Sequence, residues 1–241
     1  MFHAEPSASL GCLFSIRGCT LMLEVLGLRK SYPSGDSCQV VIDNLSLTIK
    51  HGEVVALLGA SGSGKTTLLN LLSGIDSPDS GTVKIDNTDL HSLDENNRTL
   101  LRRQKLGFVF QFFNLIPTLT VGENIALPLQ LLSKSAAEIA VVTSNLLNKV
   151  GLAGVESRYP ETLSGGEQQR IAIARAVAHQ PVLLLADEPT GNLDAETGLN
   201  IIQLLNTLAR VQNISMLLVT HSQQVADSAD RILTLQQGKL N

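Results

Sequence analysis

Gly59-Ala-Ser-Gly-Ser-Gly64-Lys65-Thr66 is the segment whose residue types and spacing speak first of chemistry. It matches G-x-x-x-x-G-K-[ST], the phosphate-binding loop. Its glycines let the backbone fold tightly, so that N–H groups point inward at phosphate oxygens. The helix that follows adds the positive end of its dipole. In this pattern Lys65 reaches the β- and γ-phosphates and Thr66 holds Mg²⁺ through its hydroxyl. Gly59, Ala60, Ser61, Gly62, Ser63, Gly64 and Thr67 complete the cradle.

A second signal is Val182-Leu-Leu-Leu-Ala186-Asp187-Glu188. An apolar strand ending in an acid places that acid at the carboxyl edge of a sheet, beside the phosphate loop. There Asp187 binds Mg²⁺, directly or through water. Glu188, one residue on, suits polarising a water for attack on the γ-phosphate. Alone this run is a weak signal, because many strands end in acids; paired with the loop it becomes a strong one.

Leu163-Ser164-Gly165-Gly166-Glu167-Gln168-Gln169-Arg170 is the third. A serine and two glycines at a helix start make another anion site, from a hydroxyl, bare N–H groups and the dipole. An ordinary N-cap is the plainer reading of the same residues. Two anion sites in one small chain are hard to explain with a single nucleotide site.

These segments need elements to hold them. Strands are expected at Glu53–Leu58, Leu106–Phe110, Val182–Ala186, Ser215–Thr220 and Arg231–Leu235, and a helix over Lys65–Leu72 ending at Gly74. Such alternation implies a mostly parallel sheet flanked by helices. Between about 112 and 178 the pattern turns helical. Ser135-Ala-Ala-Glu138 is a capping box opening a helix that ends near Gly151, and Gly165 to His179 reads as another, with Pro181 beyond it. Residues 1–21 show no clear period and are expected to be a disordered lead or an over-long start, with the domain over 22–241.

Composition narrows the function classes. In 241 residues, 44% are hydrophobic and 17% charged, enough for a sizeable core. Eighteen Lys and Arg against 22 Asp and Glu lack the basic excess usual in a nucleic-acid binder. With aromatics at 3% and no Trp, a stacking platform for single strands is not expected either. Cys12, Cys19 and Cys38 form no CxxC pair, which fits a reducing compartment. Leu10 to Leu28, the nearest approach to a membrane span, is interrupted by Arg17 and Glu24. No basic n-region precedes it, since residues 1–9 hold Glu5 and no Lys or Arg.

With these motifs in order, the sequence resembles the ATP-binding subunit of ABC transporters over about Met22 to Asn241. Leu-Ser-Gly-Gly at 163–166 is similar to that family's signature, which there contacts the γ-phosphate held by the other subunit. By the same resemblance Gln111 matches the Q-loop residue that touches Mg²⁺ or the lytic water and signals to the membrane subunit. Gly191-Asn-Leu-Asp194 matches the D-loop at the dimer seam, His221 the switch histidine at the γ-phosphate, and Tyr32 the aromatic set against adenine. Unaided, His221, Tyr32 and Gln111 would carry little signal; order and context lift them. Glu167 stands where Gln is commonest in the family. Leu106–Ile125 and Pro189–Asp194 look like the lipoprotein-releasing and macrolide-export branch, LolD-like and MacB-like.

The resemblance implies an α/β P-loop NTPase fold with a mixed-sheet core, a small antiparallel β subdomain and a helical subdomain. It implies an ATPase using ATP and Mg²⁺ that homodimerises on ATP and works at the cytoplasmic face of a membrane through an integral-membrane permease. Glu188, His221, Gln111 and Lys65 would carry catalysis, with Thr66, Gln111 and Asp187 at the metal. Tyr32, Ser164, Gly165, Gly166 and Asp194 would join the loop in holding nucleotide. A non-transport ABC ATPase acting on a soluble macromolecule is the alternative. Such proteins usually fuse two cassettes or carry long coiled coils, and this sequence contains one cassette and no such coil.

Overall fold

The computed structural model describes residues 21–35 and 37–240. The expected lead over 1–21 lies outside them except for Leu21, which already belongs to the first strand.

Two sheets organise the chain. Strands β1 (Leu21–Ser34) and β2 (Ser37–Lys50) form a long antiparallel hairpin, and β3 (Val54–Leu58) turns away from it. After helix α1 (Lys65–Leu72), β4 (Ser80–Ile85) and the short β5 (Thr88–Asp89) return to the hairpin, giving an antiparallel sheet of order β2-β1-β4-β5. Helix α2 (Glu95–Lys105) then leads into β6 (Leu106–Val109). Helices α3 (Val121–Leu131), α4 (Ala136–Lys149) and α5 (Gly165–Val177) follow, then β7 (Leu183–Asp187) and α6 (Ala195–Val211). The chain finishes through β8 (Ser215–Thr220), the short α7 (Gln223–Ala226), β9 (Arg231–Gln236) and β10 (Lys239–Leu240).

The second sheet has the order β10-β9-β3-β8-β7-β6. Five of its strands run parallel and β10 closes one edge antiparallel to β9, so the sheet is mixed. Helices cover both faces, and the inner strands therefore read as unbroken apolar runs. Within those runs the alternation of strand side chains still sorts the two faces. Val55, Leu57, Leu183, Leu185, Leu217 and Val219 pack with α1 and the antiparallel sheet. Val54, Leu184, Ala186, Met216 and Leu218 pack with α3, α4, α5 and α6. One sheet thus divides the core into two apolar layers.

The expected strands are present with ends shifted by a residue or so, and Ser215–Thr220 falls as read. Both helices expected in the 112–178 region form, joined by α3, which opens on a further capping box from Thr120 to Glu123.

Candidate functional site

The strand order builds the site. Along the carboxyl edge β3, β8, β7 and β6 lie side by side. Their ends deliver, in sequence, the loop at Gly59, then His221, then Asp187 and Glu188, then Gln111. Parallel strands with crossover helices bring all four ends to one edge, which is where ligands sit in open α/β sheets. Gly64, Lys65, Thr66, Gln111, Asp187 and Glu188 line one cleft of about 360 Å³, with Val41, Ser61, Gly62 and Thr67.

The loop is shaped to receive an anion. Gly64 sits at φ 102°, and an added Cβ would lie 3.0 Å from the Val41 carbonyl, so a side chain there meets both strain and backbone. Among the described residues α1 is the one α-helix without a side-chain N-cap; α2 to α7 each carry one. Its first N–H groups are therefore left for a ligand, at the positive end of the dipole. The Ser63 hydroxyl is buried in the loop without a partner. Lys65, only 6% exposed, donates to the Gly59 carbonyl at 2.8 Å and the Ala60 carbonyl at 2.9 Å. An orphaned hydroxyl, uncapped amides and a buried ammonium are the complement of a polyphosphate.

The acids face this loop. The Thr66 hydroxyl donates to Asp187 Oδ2 at 3.3 Å, joining two of the three expected metal-holding groups. Burial, and then the adjacent Glu188 charge, push the Asp187 carboxyl above its ordinary value. Such a carboxylate welcomes a divalent cation, and hydroxyl and carboxylate oxygens are the donors Mg²⁺ prefers. Glu188 has φ 44°, the left-handed region that a non-glycine residue rarely occupies. That twist aims its carboxylate at two partners, with Oε1 3.6 Å from Lys65 Nζ and Oε2 3.1 Å from His221 Nδ1.

Gln111 follows β6, and the loop after β7 holds it. Asn192 Nδ2 donates to the Gln111 carbonyl at 2.8 Å. The Gln111 side chain lies against Gly191, where an added Cβ would stand 2.7 Å from its Nε2. Tyr32, near the hairpin tip, donates its hydroxyl to Asp76 Oδ2 at 2.6 Å, while Lys30 Nζ stands 5.0 Å from its ring centre. Burial first, then Asp76, raise the Tyr32 hydroxyl above its usual value.

Ser164 caps α5 in a full capping box. Its N–H and hydroxyl both donate to Glu167 Oε2, at 2.8 and 2.7 Å, and these bonds hold the Glu167 carboxyl below its usual range. Neither Ser164 nor Gly165 nor Gly166 lines the cleft of the phosphate loop. Gly165 packs toward Leu193 and Phe113, and Gly166 toward Thr197, where an added Cβ would meet Cγ2 at 2.8 Å. Asp194 caps α6 by accepting from the Thr197 N–H at 2.9 Å, and it shares a smaller cleft with Glu188 and His221. The two glycine-rich helix starts thus differ: the α1 start is uncapped at the cleft, whereas the α5 start lies outside it and is closed by its own capping box.

A phosphate-loop cleft at the carboxyl edge of a mixed, mostly parallel sheet defines a P-loop NTPase cassette. A family profile described as "ABC transporter" matches residues 42–191. Over 219 residues the chain is 49% identical to the uncharacterized ABC transporter ATP-binding protein Rv0986 of Mycobacterium tuberculosis (strain ATCC 25618 / H37Rv), covering 91% of this chain and 88% of that one. It is 44% identical over 213 residues to the lipoprotein-releasing system ATP-binding protein LolD of Legionella pneumophila (strain Lens), covering 88% and 94%. The dimeric structure of a post-hydrolysis state of the ATP-binding cassette MJ0796 bound to ADP and Pi superposes with a TM-score of 0.84 at 41% identity, covering 91% of this chain and 97% of that one. The chain belongs to the ABC transporter family. It is an ATP-binding subunit of that family and an ATPase, and the resemblance read from its sequence is borne out in family, fold and activity.

Two residues at the rim of this site escape a reading of the sequence. Gln169 is wholly buried, and Arg175 donates to the loop beyond Gln111. The available signal was a polar residue on an apolar stripe, since Gln169 precedes the buried Ile173 and Ala176 by four and seven positions.

Proposed function

We propose that two copies of this chain close head to tail around two ATP·Mg²⁺, and that closure and reopening drive a separate integral-membrane permease. The observation that carries this reading is the separation of the Ser164–Gly166 helix start from the phosphate loop of its own chain. The dimeric structure of a relative of the same fold, bound to ADP and Pi, supports it. Lys65, the Ser63 hydroxyl and the α1 amides bind the phosphates. Thr66, Asp187 and Gln111 supply oxygen ligands for Mg²⁺, which when bound neutralises charge on the phosphate oxygens. Glu188 orients and polarises the attacking water, and His221 holds the second oxygen of that carboxylate. Tyr32 offers its ring to adenine, its hydroxyl fixed by Asp76.

Kinship with LolD at 44% identity favours an envelope task, extraction of a lipoprotein or export, with the chain held at the cytoplasmic face through the permease. No helix among the described residues is long and apolar enough to cross a membrane. The test is co-purification from detergent-solubilised membranes, followed by reconstitution in proteoliposomes. The reading expects a multi-span membrane protein that raises ATP turnover and releases a lipid-anchored substrate in an ATP-dependent way. Partners confined to soluble complexes, with turnover indifferent to any membrane protein, would overturn it.

A further inference from the structure

Five backbone carbonyls at and around Gln111 are each held by a side chain. Gln169 Nε2 donates to the Phe110 carbonyl at 3.3 Å and to the Pro189 carbonyl at 2.7 Å. Asn192 takes the carbonyl of Gln111 itself. Arg175 Nη2 donates to the Phe113 carbonyl at 2.9 Å and Nη1 to the Asn114 carbonyl at 2.6 Å. Phe113 and Asn114 are consecutive left-handed residues, at φ 60° and 50°, a strained turn that needs a brace. The planar guanidinium fork gives that brace two donors in fixed geometry. Burial lowers the Arg175 guanidinium from its usual value, so the charge is held inside at a cost and its donors go to this loop. Gln169 is 0% exposed, and its Oε1 has no partner.

We infer that Gln169 and Arg175 are positioning residues for Gln111: both lie on α5 and grip the backbone on either side of it, so the helix begun by Ser164 and the loop carrying Gln111 move as one body. The 13 residues of α5 make a strut about 20 Å long. A push on the loop therefore reaches Ser164 without passing through the cleft. The same grip, through Pro189, ties the residue after Glu188 to that strut. This inference rests on the reading of Gln111 and Ser164 given above.

The test compares Gln169→Met, Arg175→Lys and Arg175→Ala with Gln111→Ala in the full chain. Fluorescent ATP titrations with and without Mg²⁺, kcat, the Mg²⁺ concentration at half-maximal rate, and Tm are measured. Expected for Gln169→Met and Arg175→Ala are Mg²⁺-free nucleotide affinity within about twofold of wild type, a reduced Mg²⁺-dependent gain in affinity, and kcat lower by about ten- to a hundredfold, the scale of a misplacement near 1 Å. Arg175→Lys, keeping the charge and part of the grip, recovers some of that kcat. Gln169→Met preserves length and bulk, so the outcome does not hang on the arginine variants folding. A folded Gln169→Met with wild-type Mg²⁺ response and kcat, beside an impaired Gln111→Ala, overturns the positioning role alone. An unimpaired Gln111→Ala overturns the reading of Gln111 and the inference with it.

Discussion

Glu188 occupies a left-handed backbone conformation that costs a non-glycine residue on the order of 1–3 kcal/mol. What the twist achieves is a carboxylate poised between Lys65 and His221 at the edge of the phosphate cleft. The amide of Glu188→Gln keeps that shape and loses only the carboxylate charge, to which the proposed function gives the task of polarising water. Nucleotide affinity should stay near wild type while kcat falls by about 10²–10⁴-fold, measured by single-turnover hydrolysis. Near-normal turnover would remove Glu188 from this role. At this scale much was legible in the sequence, because phosphate chemistry demands particular residues at fixed spacing: Gly59 to Thr66 and the Asp187–Glu188 pair stand where their types implied. Gln169 and Arg175 were not, because their work is with backbone carbonyls. Such partners come from the fold and leave no mark in local spacing.

The elements that hold those residues depend on their ends. Among the described residues six α-helices begin on side-chain caps, each worth about 0.5–2 kcal/mol, and α1 forgoes one at the phosphate-loop motif. Just past α5, His179 ties that helix to the start of β6 through Nε2, 2.9 Å from the Leu106 carbonyl. Facing a carbonyl, Nε2 must carry the proton, which leaves the buried Nδ1 bare and without a partner. Burial accordingly holds the ring below the ordinary histidine value of 6.5. The unfolded chain takes up this proton first as pH falls, so the stability contributed by the neutral ring is present above 6.5 and lost below it. Melting curves at pH 7.5 and 5.5 should show a smaller acid-induced drop in Tm for His179→Gln than for wild type. An equal drop would mean the ring charges freely in the folded chain.

Legibility at the element scale followed the cleanness of the pattern. The inner parallel strands, apolar on both faces, could be read almost to the residue. The β1–β2 hairpin could not: register shifts break its alternation, and β2 runs exposed from Ser37 to Val40. Helix α6 had a readable cap and an apolar stripe through Ile201, Ile202, Leu205, Leu208 and Ala209. Asp194, matched in sequence to the D-loop, is the residue that supplies that cap.

For the whole molecule, the proposed reading makes this chain one half of a pair. One carboxyl edge gathers loop, acids, His221 and Gln111, while the helix start at Ser164 lies outside that cleft. On the proposed reading each site is completed when a second copy brings its Ser164 to the nucleotide, and α5 then links that contact to the loop at Gln111. The dimeric form of a 41%-identical cassette with ADP and Pi agrees with this geometry.

The most direct test of the shared site is Ser164→Glu placed in the Glu188→Gln background, where hydrolysis cannot hide the outcome. Nucleotide affinity is read by fluorescent ATP titration and dimer formation by size exclusion with ATP and Mg²⁺ present. Lys65 and the loop amides are untouched, so the single chain should bind ATP with nearly normal affinity. The new carboxylate would oppose the γ-phosphate of the partner's nucleotide in a dehydrated seam, a repulsion of about several kcal/mol, and the dimer should fail to form. Retained binding with lost dimer is the predicted result. ATP binding weakened as severely as in Lys65→Ala would place Ser164 in the site of its own chain and contradict the head-to-tail pair.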